Sequence, residues 1–144
     1  MKALLGIRVI DFTQAMAAPF GTMNLADMGA DVIKIEPPRT GEPTRELSSI
    51  TKNGHSATFM TMNRGKRGLT VDLKEPAAVE VVTRLAKTAD VFVQNYRPGV
   101  AERLGLGYEA LRAVNPRLIY CSVSGFGGTG PYAPRGGYDL SRRA

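Results

Sequence analysis

The chain has 144 residues and carries 19 Lys and Arg against 13 Asp and Glu, a net charge of +6; this is enough for one domain with a buried core. Hydrophobic residues at 43% and charged residues at 22% exclude global disorder, no stretch approaches the roughly 18 apolar residues of a membrane span, and the start lacks the apolar core of a signal peptide. A single cysteine, Cys121, and a single histidine, His55, exclude an internal disulfide and a zinc-ligand pattern, so the expectation is a soluble cytoplasmic protein without a metal site.

The elements alternate. Residues 6–12 read as a short strand with buried apolar positions. A loop from Thr13 to Pro19 leads into a helix expected over 20–28 and stopped by Gly29. Residues 31–36 form a second strand, ended by Pro37 and Pro38. Strand, helix and strand at this spacing make a βαβ unit, so the strands are expected to be parallel with a right-handed crossover. Residues 37–56 show no sustained period and read as a long loop, a feature that is often functional. An apolar segment at 57–62 precedes the basic turn 63–68, and a third strand is expected over 69–73. Pro76 opens a helix running to about Thr88, with Val79, Val82, Leu85 and Ala86 on one face. A fourth strand follows over 89–94, two short helices over 101–104 and 108–114, and a fifth strand over 118–123, before a Gly- and Pro-rich end.

This is an α/β, Rossmann-like layout: a parallel sheet with flanking helices. Ligands of such sheets bind beyond the C-terminal strand ends, which directs attention to 13–19, 37–45, Lys74, 95–99 and 124–139. The charge is uneven, with a balance of +2 over residues 1–90 and +4 over 91–144, and 13 of the 19 cations are arginine. Arginine suits bidentate contact with phosphate or carboxylate. With no basic helix and no aromatic-interleaved basic run, a small anionic ligand fits better than nucleic acid.

Two motifs imitate a dinucleotide site. Gly125-Phe126-Gly127-Gly128-Thr129-Gly130 satisfies G-x-G-x-x-G after a strand, but Pro131, Pro134, Gly136 and Gly137 prevent a helix from opening there. Glu36 ends the second strand as a ribose-binding acid would, yet the turn from Thr13 to Pro19 lacks the glycines. Asn95-Tyr96-Arg97-Pro98-Gly99 sets an amide, an aromatic ring and a guanidinium at a strand end, able to hold a planar base and a phosphate, with Lys74 as a matching cation.

Together, several ordered blocks resemble the class III CoA-transferase family (the CaiB/BaiF type). They are residues 6–13, 25–36, Asn63-Arg64-Gly65-Lys66-Arg67 with Asp72-Leu73-Lys74, Asn95-Tyr96-Arg97-Pro98-Gly99, residues 115–120, and Ser124-Gly125-Phe126-Gly127 through Gly137-Tyr138-Asp139. The resemblance implies that residues 1–140 are the CoA-binding segment, an incomplete large domain, and that 141–144 form a divergent tail. It implies that CoA lies across the strand ends as a substrate, with no tightly bound cofactor. Met16 and Ala17 would line the thioester region. Val71, Asp72, Leu73, Lys74, Asn95, Tyr96, Arg97 and Arg103 would contact the nucleotide and pantetheine, and Gly136, Gly137, Tyr138 and Asp139 would close over it. Some members place an arginine after the second strand to stack on adenine; here that position is Pro37, and Arg39 is the candidate substitute.

The related 2-methylacyl-CoA racemases carry a catalytic histidine where this chain has Tyr138, and a tyrosine with a pKa near 10 is a poor base at neutral pH. Transferase is therefore favoured: CoA passes between an acyl-CoA and a small carboxylic acid through an aspartyl anhydride and an aspartyl-CoA thioester. The resemblance places the nucleophilic aspartate beyond Ala144, leaves no catalytic residue within the chain, and implies an interlocked homodimer for the family. A non-catalytic CoA-binding fragment or half of a split enzyme is the alternative reading. A racemase relative ranks below it, and an NAD-dependent enzyme last. Neither nucleic acid nor a membrane is an expected partner.

Overall fold

The computed structural model describes residues 2–47 and 49–137. Tyr138, Asp139 and the tail 141–144, with the boundary drawn at residue 140, lie outside the described residues. In chain order the elements are β1 (Arg8–Phe12), α1 (Ala17–Asp27), β2 (Asp31–Glu36), α2 (Thr44–Leu47), β3 (Thr51–Lys52), β4 (His55–Ser56), α3 (Ala57–Asn63), β5 (Arg67–Thr70), α4 (Pro76–Ala86), β6 (Val91–Gln94), α5 (Val100–Arg103), α6 (Tyr108–Val114) and β7 (Ile119–Ser122). β5, β2, β1, β6 and β7 lie side by side in that order, and every pairing is parallel. The chain therefore builds outward from β1 to β5, crosses back, and continues from β6 to β7.

Alternation along the strands sends side chains to two cores. Ile10, Phe12, Ile33, Ile35 and Phe92 meet Val82, Ala86, Leu106 and Leu111 on the face covered by α4 and α6. Val9, Val32 and Val93 meet Ala26 and Ala30 on the face covered by α1. Phe92 stacks between Phe12 and Tyr120, with ring centroids 5.1 and 5.2 Å away, which binds β1, β6 and β7 into one layer.

Several boundaries differ from the sequence expectation for local reasons. α1 begins at Ala17, three residues early, because Pro19 sits in the first turn, where its missing N–H is harmless. It ends in a Schellman motif: Gly29, at φ 103, donates to the Ala26 carbonyl (2.9 Å), and Ala30 donates to that of Leu25 (3.0 Å). The third strand expected over 69–73 ends at Thr70, because the Asp72 carboxylate accepts the Lys74 N–H at 3.0 Å and turns the chain. The segment 37–56, expected as a loop, holds α2 and the hairpin β3–β4. Asn53 and Gly54, at φ 52 and 77, make its two-residue turn. Ser56 then caps α3 by accepting the Phe59 N–H at 3.3 Å. Among the described residues, no helix is long and apolar enough to cross a membrane.

Candidate functional site

β1 leads through α1 to β2 on one side, whereas β6 is entered from α4 on the other face and leads away to β7. The connections therefore diverge above the C-terminal ends of β1 and β6 and leave a crevice, the place where open parallel sheets bind ligands. A cleft of about 200 Å³ opens on this side, lined by Phe12, Gln14, Ile35, Glu36, Pro37, the run Val71–Lys74, Tyr96 and Leu104. Its walls are largely apolar, and its charged members are Lys74 and the carboxylates of Glu36 and Asp72. Burial, followed by the field of Asp11, pushes the Tyr96 phenol above its usual pKa, so the ring is neutral at physiological pH.

A buried polar network supports the strand ends. Asp11 is fully buried in β1 and pairs with Lys66 at 2.8 Å. It also accepts the Thr13 N–H (2.8 Å) and the Thr22 hydroxyl (2.7 Å). Lys66 continues to Asn63 Oδ1 (2.8 Å) and the Pro19 carbonyl (3.0 Å), and Lys34 donates to the Thr13 carbonyl (2.8 Å). Burial pushes the Asp11 carboxyl up, but Lys34, Lys66 and the bonds from Lys66 and Thr13 outweigh it and hold the group below the usual carboxylate range. Burial lowers the Lys66 ammonium, and Asp11 opposes that only in part. No buried polar side-chain atom among the described residues lacks a partner, as a stable network of this kind requires.

The sequence model of CoA-transferase family III matches residues 4–144. The chain belongs to CoA-transferase family III. Succinyl-CoA:glutarate CoA-transferase of Mus musculus is 47% identical over 139 residues, covering 96% of this chain and 32% of the relative. Formyl-CoA:oxalate CoA-transferase of Afipia carboxidovorans is 45% identical, covering 91% of this chain and 31% of the relative. The crystal structure of a CAIB/BAIF family protein from Brucella suis superposes with a TM-score of 0.91 at 44% identity, covering 96% of this chain and 38% of that one. The chain thus spans about a third of the length of the relatives it matches.

In this family III chain, the cleft brings together five of the residues singled out in the sequence: Val71, Asp72, Leu73, Lys74 and Tyr96. Asn95 stands beside them, but its amide is spent on the backbone of Gln14, accepting its N–H and donating to its carbonyl, each at 2.8 Å. Met16 and Ala17, at the entry to α1, are exposed and are not part of the lining. Arg97 and Arg103 are exposed, and neither they nor Lys74 makes an ion pair with another described residue. Gly136 and Gly137 lie at the base of the loop after β7 and are not among the lining residues, and Tyr138 and Asp139 are outside the described residues. The structure adds Phe12, Gln14, Ile35 and Leu104, together with Glu36 and Pro37, which the sequence singled out for other roles. Sequence reading missed Gln14 although it lies in the loop marked for search, because no motif distinguishes one polar loop residue from its neighbours.

Both dinucleotide imitations resolve in physical terms. The Glu36 carboxylate is held in a fork by Arg45 (2.7 and 2.8 Å) and accepts the Glu42 N–H (2.9 Å), which occupies the oxygens a ribose would need. Burial raises the Glu36 pKa, but the bonds from Arg45 and Glu42 together overcome it and keep the group ionised. The glycines at 125–130 open no helix; residues 125–135 form bends and turns. The backbones of Gly125 and Gly137 touch, so a Cβ on either overlaps the other. Gly125→Ala is therefore expected to open this loop and speed tryptic cleavage after Arg135, while global stability falls by no more than about 1 kcal/mol. An unchanged cleavage rate in limited proteolysis contradicts that closure.

Proposed function

We propose that this chain is the CoA-binding part of an acyl-CoA:carboxylate CoA-transferase. One observation carries the reading: in a chain of CoA-transferase family III, the apolar cleft at the topological switch point is walled by the Val71–Lys74 run and Tyr96. The apolar walls suit the pantetheine arm, and Lys74, Arg97 and Arg103, which form no ion pair among the described residues, suit the phosphates of the nucleotide. In the same reading Met16 and Ala17, exposed at the entry to α1 beside the cleft's mouth residue Gln14, belong to the thioester region. Small dicarboxylate and oxalate transferases among the relatives support a small carboxylic acid as the acceptor.

In this reading an aspartate supplied beyond residue 144 attacks the thioester carbonyl, expelling CoA thiolate and forming a mixed anhydride. The thiolate attacks the anhydride at the aspartyl carbonyl, giving an aspartyl-CoA thioester and releasing the first carboxylate. An incoming carboxylate takes the CoA by the reverse steps. The 144 residues then bind CoA without turning it over. The family's interlocked dimer and a cytoplasmic setting belong to the same proposal.

Isothermal titration of the purified chain with CoA tests the site. Lys74→Ala combined with Arg97→Ala is expected to weaken binding about tenfold or more. Unchanged affinity removes the phosphate assignment, and absence of CoA binding by the unsubstituted chain removes the whole reading. CoA exchange between a thioester and a carboxylate, catalysed by this chain alone, refutes the placement of the nucleophile.

A further inference from the structure

The β1–α1 loop is gripped from two sides by groups outside it. Asn95, just past β6, commits both ends of its amide to the Gln14 backbone at 2.8 Å each. From the segment after β2, Glu42 accepts the Ala15 N–H through Oε1 at 2.7 Å, while its Oε2 accepts the Thr44 N–H at 3.2 Å and the Thr44 hydroxyl. Glu42 is 2% exposed. Ala15 itself has φ 65, a left-handed conformation that an alanine holds only when its surroundings dictate it. The loop is therefore rigid at the point where β1 ends and the cleft begins.

What this clamp leaves over is the Gln14 side chain. Gln14 is one of the cleft's lining residues, and among the described residues its carboxamide has no hydrogen-bond partner. The cleft it shares presents Phe12, Ile35, Val71, Tyr96 and Leu104, with Glu36, Asp72 and Lys74 as its charged members. A carboxamide offers a donor and an acceptor side by side, the complement of a secondary amide in a ligand. Of the acidic groups in the same wall, the Glu36 carboxylate is taken by Arg45 and the Glu42 N–H, and the Asp72 carboxylate accepts the Lys74 N–H. The geometry points to Gln14 as a ligand-binding residue that takes an amide of the pantetheine arm, with Asn95 and Glu42 as positioning residues acting through it. This rests on the CoA-binding reading above and deepens it: Asn95 influences the ligand through Gln14 rather than by touching the nucleotide.

The test uses the full 144-residue chain and two probes, CoA and adenosine 3′,5′-bisphosphate, which lacks the arm. Gln14→Ala leaves the backbone bonds to Asn95 and Glu42 intact and is expected to weaken CoA about tenfold, the value of one hydrogen bond, with bisphosphate affinity unchanged. Asn95→Ala is expected to produce a similar loss for CoA, and the double variant no further loss, because the two residues act as one unit. Additive losses of about a hundredfold overturn the positioning role of Asn95. Equal losses for both probes, or an indifferent Gln14→Ala, overturn the assignment of Gln14. If Asn95→Ala does not fold, as thermal melting shows, Gln14→Ala with the two probes decides alone. No CoA binding by the unsubstituted chain overturns the functional reading and the assignment with it, whereas normal CoA binding by Gln14→Ala overturns the assignment only.

Discussion

Asp11→Asn is expected to destabilise the chain by about 3–5 kcal/mol, the cost of removing one partner from a buried ion pair. The substitution nearly preserves shape, removes the charge and turns one acceptor oxygen into an amide donor that faces other donors. Lys66 then keeps its burial and its bonds to Asn63 and the Pro19 carbonyl but loses its counterion, with Lys34 close enough to repel it. Since domains of this kind are stable by about 5–15 kcal/mol, the variant forfeits a large share of the total. Urea unfolding followed by circular dichroism measures it, and a loss below about 1 kcal/mol contradicts the network.

The same pair sets a pH dependence. The Asp11 carboxyl is held below its ordinary value of 3.8 in the folded chain, as is that of Asp31, and the Glu36 carboxyl is held below 4.5. Each therefore binds protons more readily when unfolded. Their stabilisation is present above those ordinary values and is lost as pH falls through the lowered ones. Stability is expected to decline below about pH 4.5, and Asp11→Asn to flatten that decline by removing one of the three groups.

Phe92→Ala is the second large effect, at about 3–5 kcal/mol for a fully buried aromatic ring. Phe92 is 1% exposed and is stacked on both Phe12 and Tyr120, so truncation opens a void at the centre of the larger core and loosens β1, β6 and β7 together. Phe92→Leu refills part of the space and is expected to recover about half of the loss. Equal urea midpoints for the two variants contradict this packing role. Tyr120 shares the stack while its hydroxyl donates to the Leu106 carbonyl at 3.2 Å; burial, with Glu102 nearby, pushes its phenol pKa up to about 12. It acts as a structural phenol rather than a base.

The βαβ order was legible because apolar runs separated by Gly and Pro carry strand and helix signals locally: Val9–Phe12, Val32–Ile35 and Val91–Val93 read directly as strands. The hairpin at 51–56 was not read from the sequence: Asn53-Gly54 is its one local signal, and its two-residue strands are too short for a periodic pattern, so the segment reads as loop. α2 spans four residues and was hidden for the same reason. Of the cleft's lining, the Val71–Lys74 run and Tyr96 are residues that motif resemblance and strand-end logic also single out. Phe12, Ile35 and Leu104 are not, because a residue buried at a strand end looks in sequence like any other core residue.

Length and net charge determined that 144 residues make a single domain-sized chain with cations to spare, and motif order determined the family. The tertiary structure decided which polar residues are free to act. Asp11, Glu36, Glu42, Lys66 and Asn95 are chemically as capable as Gln14 and Lys74 of meeting a ligand, and a sequence distinguishes them only by residue type. Folding consumes the first group, because a buried charge or amide must find a partner within the chain. Among the described residues, Gln14 and Lys74 are left with unpaired side chains along a cleft that forms only when β1, β2, β5 and β6 are brought side by side.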